Sequence, residues 1–222
     1  CSPEKRAPRM TSPIATYRLQ FRNGMTFEQA AAIVPYLKRL GVSHLYASPI
    51  FAATKGSTHG YDVTDHNAFD PDLGGREGFE KLHEALKEAG LKLILDIVPN
   101  HMAASLENPW WRSVIEFGRD SAFADHFDID WSRRLTLPVL GKPFDEALAD
   151  GEIRLAIDRA NGCLALGYYD NLFPLNPASY GFVAESFPEA SSFAREAGWQ
   201  APFDGRIDEE LAELSQDHAF IS

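Results

Sequence analysis

The chain has 222 residues, 45% hydrophobic and 24% charged, with a formal net charge of −11. That composition supports a real apolar core, and acidity without a Lys/Arg cluster argues against a nucleic-acid partner. No apolar run approaches the roughly 18 residues of a membrane-spanning helix, CSPEKRAPRM lacks a signal-peptide core, and Cys1 and Cys163 form no metal-ligand or disulfide spacing, so a reducing, cytoplasmic setting is expected.

Residues 13–21, PIATYRLQF, read as a strand. TFEQAAAIVPYLKRLG follows as a helix: Thr26 and Gln29 match a capping box, and Phe27, Ala30, Ala31, Val34 and Leu37 share one face. Pro35 should kink or distort it, and Gly41 ends it in the left-handed conformation. VSHLYASPIF is a strand that turns at Pro49, then a loop of more than 20 residues carries HGYDVTDH, 59–66. A loop that long in a small domain is usually functional or disordered, and its aromatic and ionisable content favours function. GGREGFEKLHEALKEAG is a second helix with Phe79, Leu82, Leu86 and Ala89 on its stripe and Gly90 at its end. LKLILDIVPNH opens with the near-continuous apolar character of a strand buried on both faces. Strand, helix, strand, helix, strand predicts βαβ crossovers and a parallel sheet.

After His101 the pattern changes. NPWWRSVIEFG is a short helix with Asn108 as N-cap and Pro109 at its first position. EIRLAID alternates, with Ile153, Leu155 and Ile157 on one face, and Asn161–Gly162 offers a tight hairpin turn into CLALGYYD. The last forty residues carry only weak helical signals.

Two stretches carry chemistry. In DIVPNH, 96–101, Asp96 ends an apolar run, and Asn100 and His101 follow a proline turn. In parallel α/β folds the C-terminal strand ends form the ligand face. A partly buried aspartate there needs a cationic or hydrogen-bonding partner, and a structural Asp with a turn His remains open as the plain alternative. In HGYDVTDH, Tyr61 offers a flat ring and a hydroxyl that suit a sugar, and Asp62 can accept from two hydroxyls. His59, Asp62, Asp65 and His66 could instead ligate a metal, although their spacing fits no zinc motif, and a solvated loop without a ligand is the third possibility. Of Trp110 and Trp111, one is expected to pack inward rather than serve as a sugar platform, and His44 and His83 fall within regular elements. DPDLGG lacks the lysine and spacing of a phosphate loop.

ATYRLQF (15–21), HLYASPI (44–50), GSTHGYDVTDH (56–66), DIVPNHM (96–102) and LPVLGKPF (137–144) together resemble the α-amylase superfamily of glycoside hydrolases and transglycosylases. Within it they are most similar to the malto-oligosyltrehalose synthase family, densely to about residue 160. The resemblance implies an α/β fold, the N-terminal part of a (β/α)8 TIM barrel (strands 1–3) over residues 13–101. Residues 1–12 would be an extension, and 102–222 a mixed α+β subdomain inserted after strand 3, incomplete here. It implies an intramolecular transglucosylase that converts the terminal α-1,4 linkage of a maltodextrin to an α,α-1,1 linkage. An α-amylase or α-glucosidase hydrolase and a non-catalytic glucan-binding module are the alternatives.

By the same resemblance Tyr61 stacks on the glucose at the cleavage subsite and His101 bonds its hydroxyls. Asp62 and Asn100 support the pocket, and Asp96 orients an arginine from behind. The nucleophile, acid–base glutamate and third carboxylate match no segment of this chain and are expected beyond Ser222, so Asp96 should lack its arginine and the chain alone should be inactive and prone to aggregate. No metal or organic cofactor is implied, although some relatives use a residue like Asn100 for calcium. The expected partners are a glycogen-derived malto-oligosaccharide and, functionally, a trehalose-releasing hydrolase, with no nucleic acid or membrane.

Overall fold

A computed structural model describes residues 12–186, which divide between Ala103 and Ala104 into two units. The first unit opens with β1 (Thr16–Leu19) and α1 (Phe27–Leu40). The capping box at the start of α1 is formed: the Thr26 hydroxyl receives the Gln29 N–H, and the Gln29 side chain reaches back to Thr26. Gly41 closes the helix at φ 85, returning its N–H to the Lys38 carbonyl. The helix runs unbroken through Pro35, which lies on its exposed side, where water can satisfy the carbonyl that proline's missing N–H leaves free.

After β2 (His44–Ala47) the chain makes a short antiparallel ribbon of β3 (Phe51–Ala53) and β4 (Val63–Phe69). The expected long loop is therefore shorter, and Val63 to His66 of the HGYDVTDH stretch belong to β4. Phe51 stacks on Phe69 across the ribbon. A 3₁₀ turn at Pro71–Leu73, capped by Asp70, leads into α2 (Gly75–Ala89), which Gly90 closes at φ 68. β5 (Lys92–Leu95) completes the unit.

The sheet is parallel, in the order β1-β2-β5, with Arg18, Tyr46 and Ile94 in register. Side chains alternate across a strand. Leu19, Leu45 and Ala47 therefore join the α1 and α2 stripes in the core, with Phe27, Val34, Leu37, Leu82 and Leu86. Phe27 meets Phe21, Phe69 and Phe79 edge-on, an arrangement favoured between aromatic rings. Arg18, Tyr46, Ile94 and, two residues on, Asp96 fall on the opposite face. β5 is not buried on both sides: Leu95 is 38% exposed and Ile97 just beyond it 48%. Its place at the edge of the sheet explains the difference, because only β2 flanks it among the described residues.

The second unit begins with α3 (Pro109–Phe117), whose N-cap Asn108 is fully buried and accepts from the N–H groups of Trp110 and Trp111. Each tryptophan is half-buried on an aromatic partner, Trp110 stacked on Phe123 and Trp111 tilted against Phe127, so both rather than one pack against protein. Then come α4 (Phe144–Ala149), β6 (Ile153–Asp158), β7 (Cys163–Tyr168), β8 (Asn171–Pro174) and α5 (Tyr180–Ser186). The three strands form an antiparallel sheet in sequence order.

The β6–β7 hairpin ends at the Asp158–Cys163 pair, giving four loop residues rather than a two-residue Asn-Gly turn. Gly162 is left-handed at φ 68 but Asn161 is not, and the tight turn needs both. Asp158 takes over the turn by accepting from the Asn161 N–H at 3.1 Å and from its amide Nδ2 at 2.7 Å. The same carboxylate receives Arg112 of α3 at 3.0 Å, and Arg112 also pairs with Glu116 at 3.2 Å and donates to the Cys163 sulfur at 3.0 Å. The weak helical signals past Ser186 lie outside the described residues.

Candidate functional site

The first unit gathers its polar side chains at the C-terminal ends of β1, β2 and β5. Asp96, one residue past β5, is fixed by its N–H to the Ala47 carbonyl at 2.9 Å. Its Oδ2 accepts from the Tyr61 hydroxyl at 2.6 Å and the Tyr46 hydroxyl at 3.2 Å, with the Arg18 guanidinium at 3.5 Å. Arg18 also lies over the Tyr46 ring, 5.6 Å from its centroid. Asp96 thus has both kinds of partner expected of it; the cation among the described residues is Arg18 of β1, a different arginine from the one that the resemblance places beside the nucleophile. The hydrogen bond to Asp96, with burial, pushes the Tyr61 hydroxyl above the usual phenol range, and Arg18 pulls it partly back.

His101 reaches the same loop from the other side. Its Nε2 lies 3.0 Å from the Tyr61 carbonyl, so Nε2–H donates and Nδ1 is left to accept. Asn100 is exposed, and its side chain makes no hydrogen bond among the described residues. Asp62 faces inward along the loop: the Ser57 hydroxyl donates to its Oδ1 at 2.5 Å, and His59 stands at 3.5 Å. Burial alone would raise the Asp62 carboxyl, but Ser57, its own N–H and His59 outweigh it and hold it below the usual aspartate range. Tyr61, Asp96 and His101 are therefore linked by hydrogen bonds, while Asp62, next to Tyr61 in the chain, is held by Ser57 and His59, and Asn100 adjoins His101 in sequence only.

The four residues of the metal alternative do not converge. Asp65 folds back onto the Asn67 N–H, and His66 lies against Phe51. No three His, Cys, Asp or Glu side chains among the described residues are placed to hold a metal ion. No described helix is long and apolar enough to cross a membrane.

Beneath the loop lies a buried ion pair. Arg22 and Asp70 meet at 2.5 Å, their side chains 5% and 8% exposed. The guanidinium also donates to the Pro49 carbonyl at 2.9 Å and the Phe51 carbonyl at 3.2 Å. Gly60 rests on it: at φ 79, a Cβ there would stand 2.6 Å from the guanidinium carbon. A cavity of about 300 Å³ opens on the far side, bordered by Arg22, Thr54, Ser57, Asp70 and Asp72 but by none of Tyr61, Asp96 or His101.

Arg18, Tyr46, Ser57 and Arg22 were not singled out from the sequence, although all but Arg22 lie in the quoted motifs. Period-two alternation through TYRL and HLYA, with the parallel register, was the available signal for Arg18 and Tyr46.

Helix-backed parallel strands with an aromatic–carboxylate–histidine cluster at their C-terminal ends define an α/β protein of the ligand-binding or catalytic class. The chain belongs to the α-amylase family: residues 31–142 match its catalytic domain. A protein of Mycobacterium tuberculosis provisionally named maltooligosyl trehalose synthase is 47% identical over 152 residues, 63% of this chain and 20% of that protein. The solved maltooligosyltrehalose synthase of Arthrobacter ramosus is 44% identical, covering 74% of this chain and 21% of that one with a TM-score of 0.67. An intracellular maltogenic amylase of Bacillus subtilis is 38% identical over 94 residues, 42% of this chain and 15% of that protein. The chain thus spans about a fifth of the length of the trehalose synthases it matches.

Proposed function

We propose that this chain forms part of a maltodextrin-converting transglucosylase that turns the terminal α-1,4 linkage of a malto-oligosaccharide into an α,α-1,1 linkage. The observation that carries it is the hydrogen-bonded cluster of Tyr61, Asp96 and His101 at the C-terminal strand ends, with Asp62 beside it, in a chain 44% identical to a solved maltooligosyltrehalose synthase over 74% of its length. In this reading β1, β2 and β5 are the first three strands of a (β/α)8 barrel, residues 13–101, and residues 102–222 are a subdomain inserted after the third.

Tyr61 presents its ring to the glucose at the cleavage subsite, and the bond to Asp96 fixes the ring's tilt. His101 offers Nδ1 to a sugar hydroxyl while Nε2 holds the Tyr61 carbonyl. Asp62, kept ionised, accepts hydroxyl hydrogens, and exposed Asn100 closes the pocket's rim. Retaining transfer requires two carboxylates roughly 5 Å apart, one attacking the anomeric carbon and one protonating the leaving oxygen. Asp62 and Asp96 are both committed to other partners, so that pair comes from other residues of the complete protein. Isomerisation rather than hydrolysis also needs the freed glucose to turn in place with water excluded. A trehalose-releasing hydrolase would then consume the product.

The test is to incubate maltopentaose with this chain and with the complete gene product, following reducing ends and free glucose. Loss of reducing ends without glucose release by the complete product supports the reading. A rise in reducing ends makes it a hydrolase, and turnover by the 222-residue chain itself would place the reacting carboxylates inside it.

A further inference from the structure

Tyr61 and Asp62 sit on a loop held above by Asp96 and His101 at Tyr61 and by Ser57 and His59 at Asp62. Ser57 secures Asp62 and the Gly60 N–H, and Asp62 and Thr54 share a backbone hydrogen bond. One flank of the loop borders the cavity at Thr54, Gly56 and Ser57. The other flank lies on Arg22. That residue is costly to place: its backbone is left-handed at φ 80 without being glycine, and its charge is buried. Strain of this kind persists where the surroundings hold it and concentrates near functional sites.

The guanidinium's geometry accounts for the placement. A planar fork can hold the Pro49 carbonyl, the Phe51 carbonyl and Asp70 at once, and so ties the end of the β2 segment, the start of β3 and the end of β4 to one point. Its surface is then a fixed floor, and only a residue without Cβ can lie against it, as Gly60 does. Because Gly60 directly precedes Tyr61, the height of that floor places the backbone from which the Tyr61 ring reaches Asp96 and the Asp62 carboxylate reaches Ser57. Asp70 completes the arrangement, giving one oxygen to Arg22 and the other to the Asp72 N–H at the start of the next turn.

We infer that Arg22, held by Asp70, is a positioning residue for the substrate pocket: its guanidinium is the floor on which Gly60 seats Tyr61 and Asp62. The inference rests on the pocket proposed above but concerns residues outside the set assigned to hold the sugar there. A lysine keeps the charge but donates from a single nitrogen, and so does not reproduce a fork that holds Pro49 with one nitrogen and Phe51 and Asp70 with the other.

The experiment compares the complete gene product with its Arg22→Lys variant at a temperature where circular dichroism shows both fully folded. It measures hydrogen exchange over residues 57–62 and kcat and KM on maltopentaose. The expected result is faster exchange confined to that loop and its floor, with kcat/KM lower by roughly tenfold to a hundredfold and KM carrying the larger share. Gly60→Ala, which leaves Arg22 and Asp70 intact but presses on the guanidinium, should produce the same two changes. Unchanged exchange over 57–62, or faster exchange across the whole first unit with kcat/KM unaltered, overturns the inference. Should the parent protein leave maltopentaose untouched, the pocket assignment fails by itself, and exchange at 57–62 still decides whether Arg22 seats the loop.

Discussion

Replacing Asp158 with alanine removes the centre of the polar network in the second unit. Its side chain is 7% exposed and accepts from Arg112, the Asn161 N–H and the Asn161 amide. Breaking a buried ion pair costs about 3–5 kcal/mol when the surviving charge is left alone. Arg112 keeps Glu116 at 3.2 Å, which favours the lower end, about 3 kcal/mol. The two lost hydrogen bonds to Asn161 add about 1 kcal/mol each, so the total approaches 5 kcal/mol, at the bottom of the range of about 5–15 kcal/mol that whole domains possess. Urea unfolding followed by tryptophan fluorescence suits the question, because Trp110, Trp111 and Trp131 all lie in this unit.

The pH dependence supplies the sign. Burial pushes the Asp158 carboxyl up, but Asn161 and then Arg112 outweigh it and hold the carboxyl below its ordinary value. A depressed carboxyl stabilises the fold above the unfolded aspartate pKa, about 3.9, and that stabilisation is lost as pH falls through the lowered value. The gap between wild type and Asp158→Ala should therefore be full at pH 7 and shrink only below about pH 4. Asp158→Asn, which keeps an acceptor for the Asn161 N–H, should fall between the two. A cost under about 1 kcal/mol at pH 7, or a gap that does not change down to pH 3, would refute the argument.

Two further outcomes follow from the first unit. Asp96→Asn should bring Tyr61 back toward the ordinary phenol range, read by site-labelled tyrosine NMR, because the Asp96 hydrogen bond is the main cause of its rise. A raised phenol also stabilises the fold below the unfolded value, about 10, and that contribution disappears as pH climbs through the folded one, so the two proteins should converge in alkali. Thr26→Ala should cost about 1 kcal/mol in thermal or urea unfolding, since it deletes half of the capping box; no measurable loss would mean that Gln29 alone caps the helix.

Both helices of the first unit were legible because each carries its own start and stop: Thr26 and Gln29 ahead of an apolar stripe, then Gly41 or Gly90 in left-handed geometry. The β3–β4 ribbon was hidden. Phe51–Ala53 is three residues long, and its pairing shifts register twice, so no alternation builds up to read. β8 fails for a similar reason, with four residues ending in proline, whereas the Asn161–Gly162 signal was real but lost to Asp158, which offered the turn stronger hydrogen bonds. β5 looked like a strand buried on both faces from Leu93, Ile94 and Leu95, because apolar content does not reveal which strand stands at an edge. At the candidate site, Tyr61, Asp96 and His101 of the motifs meet through hydrogen bonds, with Asp62 held beside them by Ser57 and His59. Arg18 and Tyr46 escaped because each was weighed within its own strand, and their meeting with Asp96 depends on the register between strands. Arg22 had no sequence signal, since nothing local marks an arginine that will be buried against a partner 48 residues away.

The Asn161–Gly162 junction also gives the second unit a clock. An asparagine followed by glycine is the sequence most open to spontaneous deamidation, because glycine does not hinder attack of the following backbone nitrogen on the side-chain amide. Here that amide is the group that donates to Asp158. Conversion to carboxylate would turn a donor into a second acceptor facing the first. Two negative charges would then compete for Arg112, which already serves Glu116. Preparations aged at neutral or alkaline pH should accumulate a species one charge more acidic, whose second unit has loosened around this hairpin while the first is untouched.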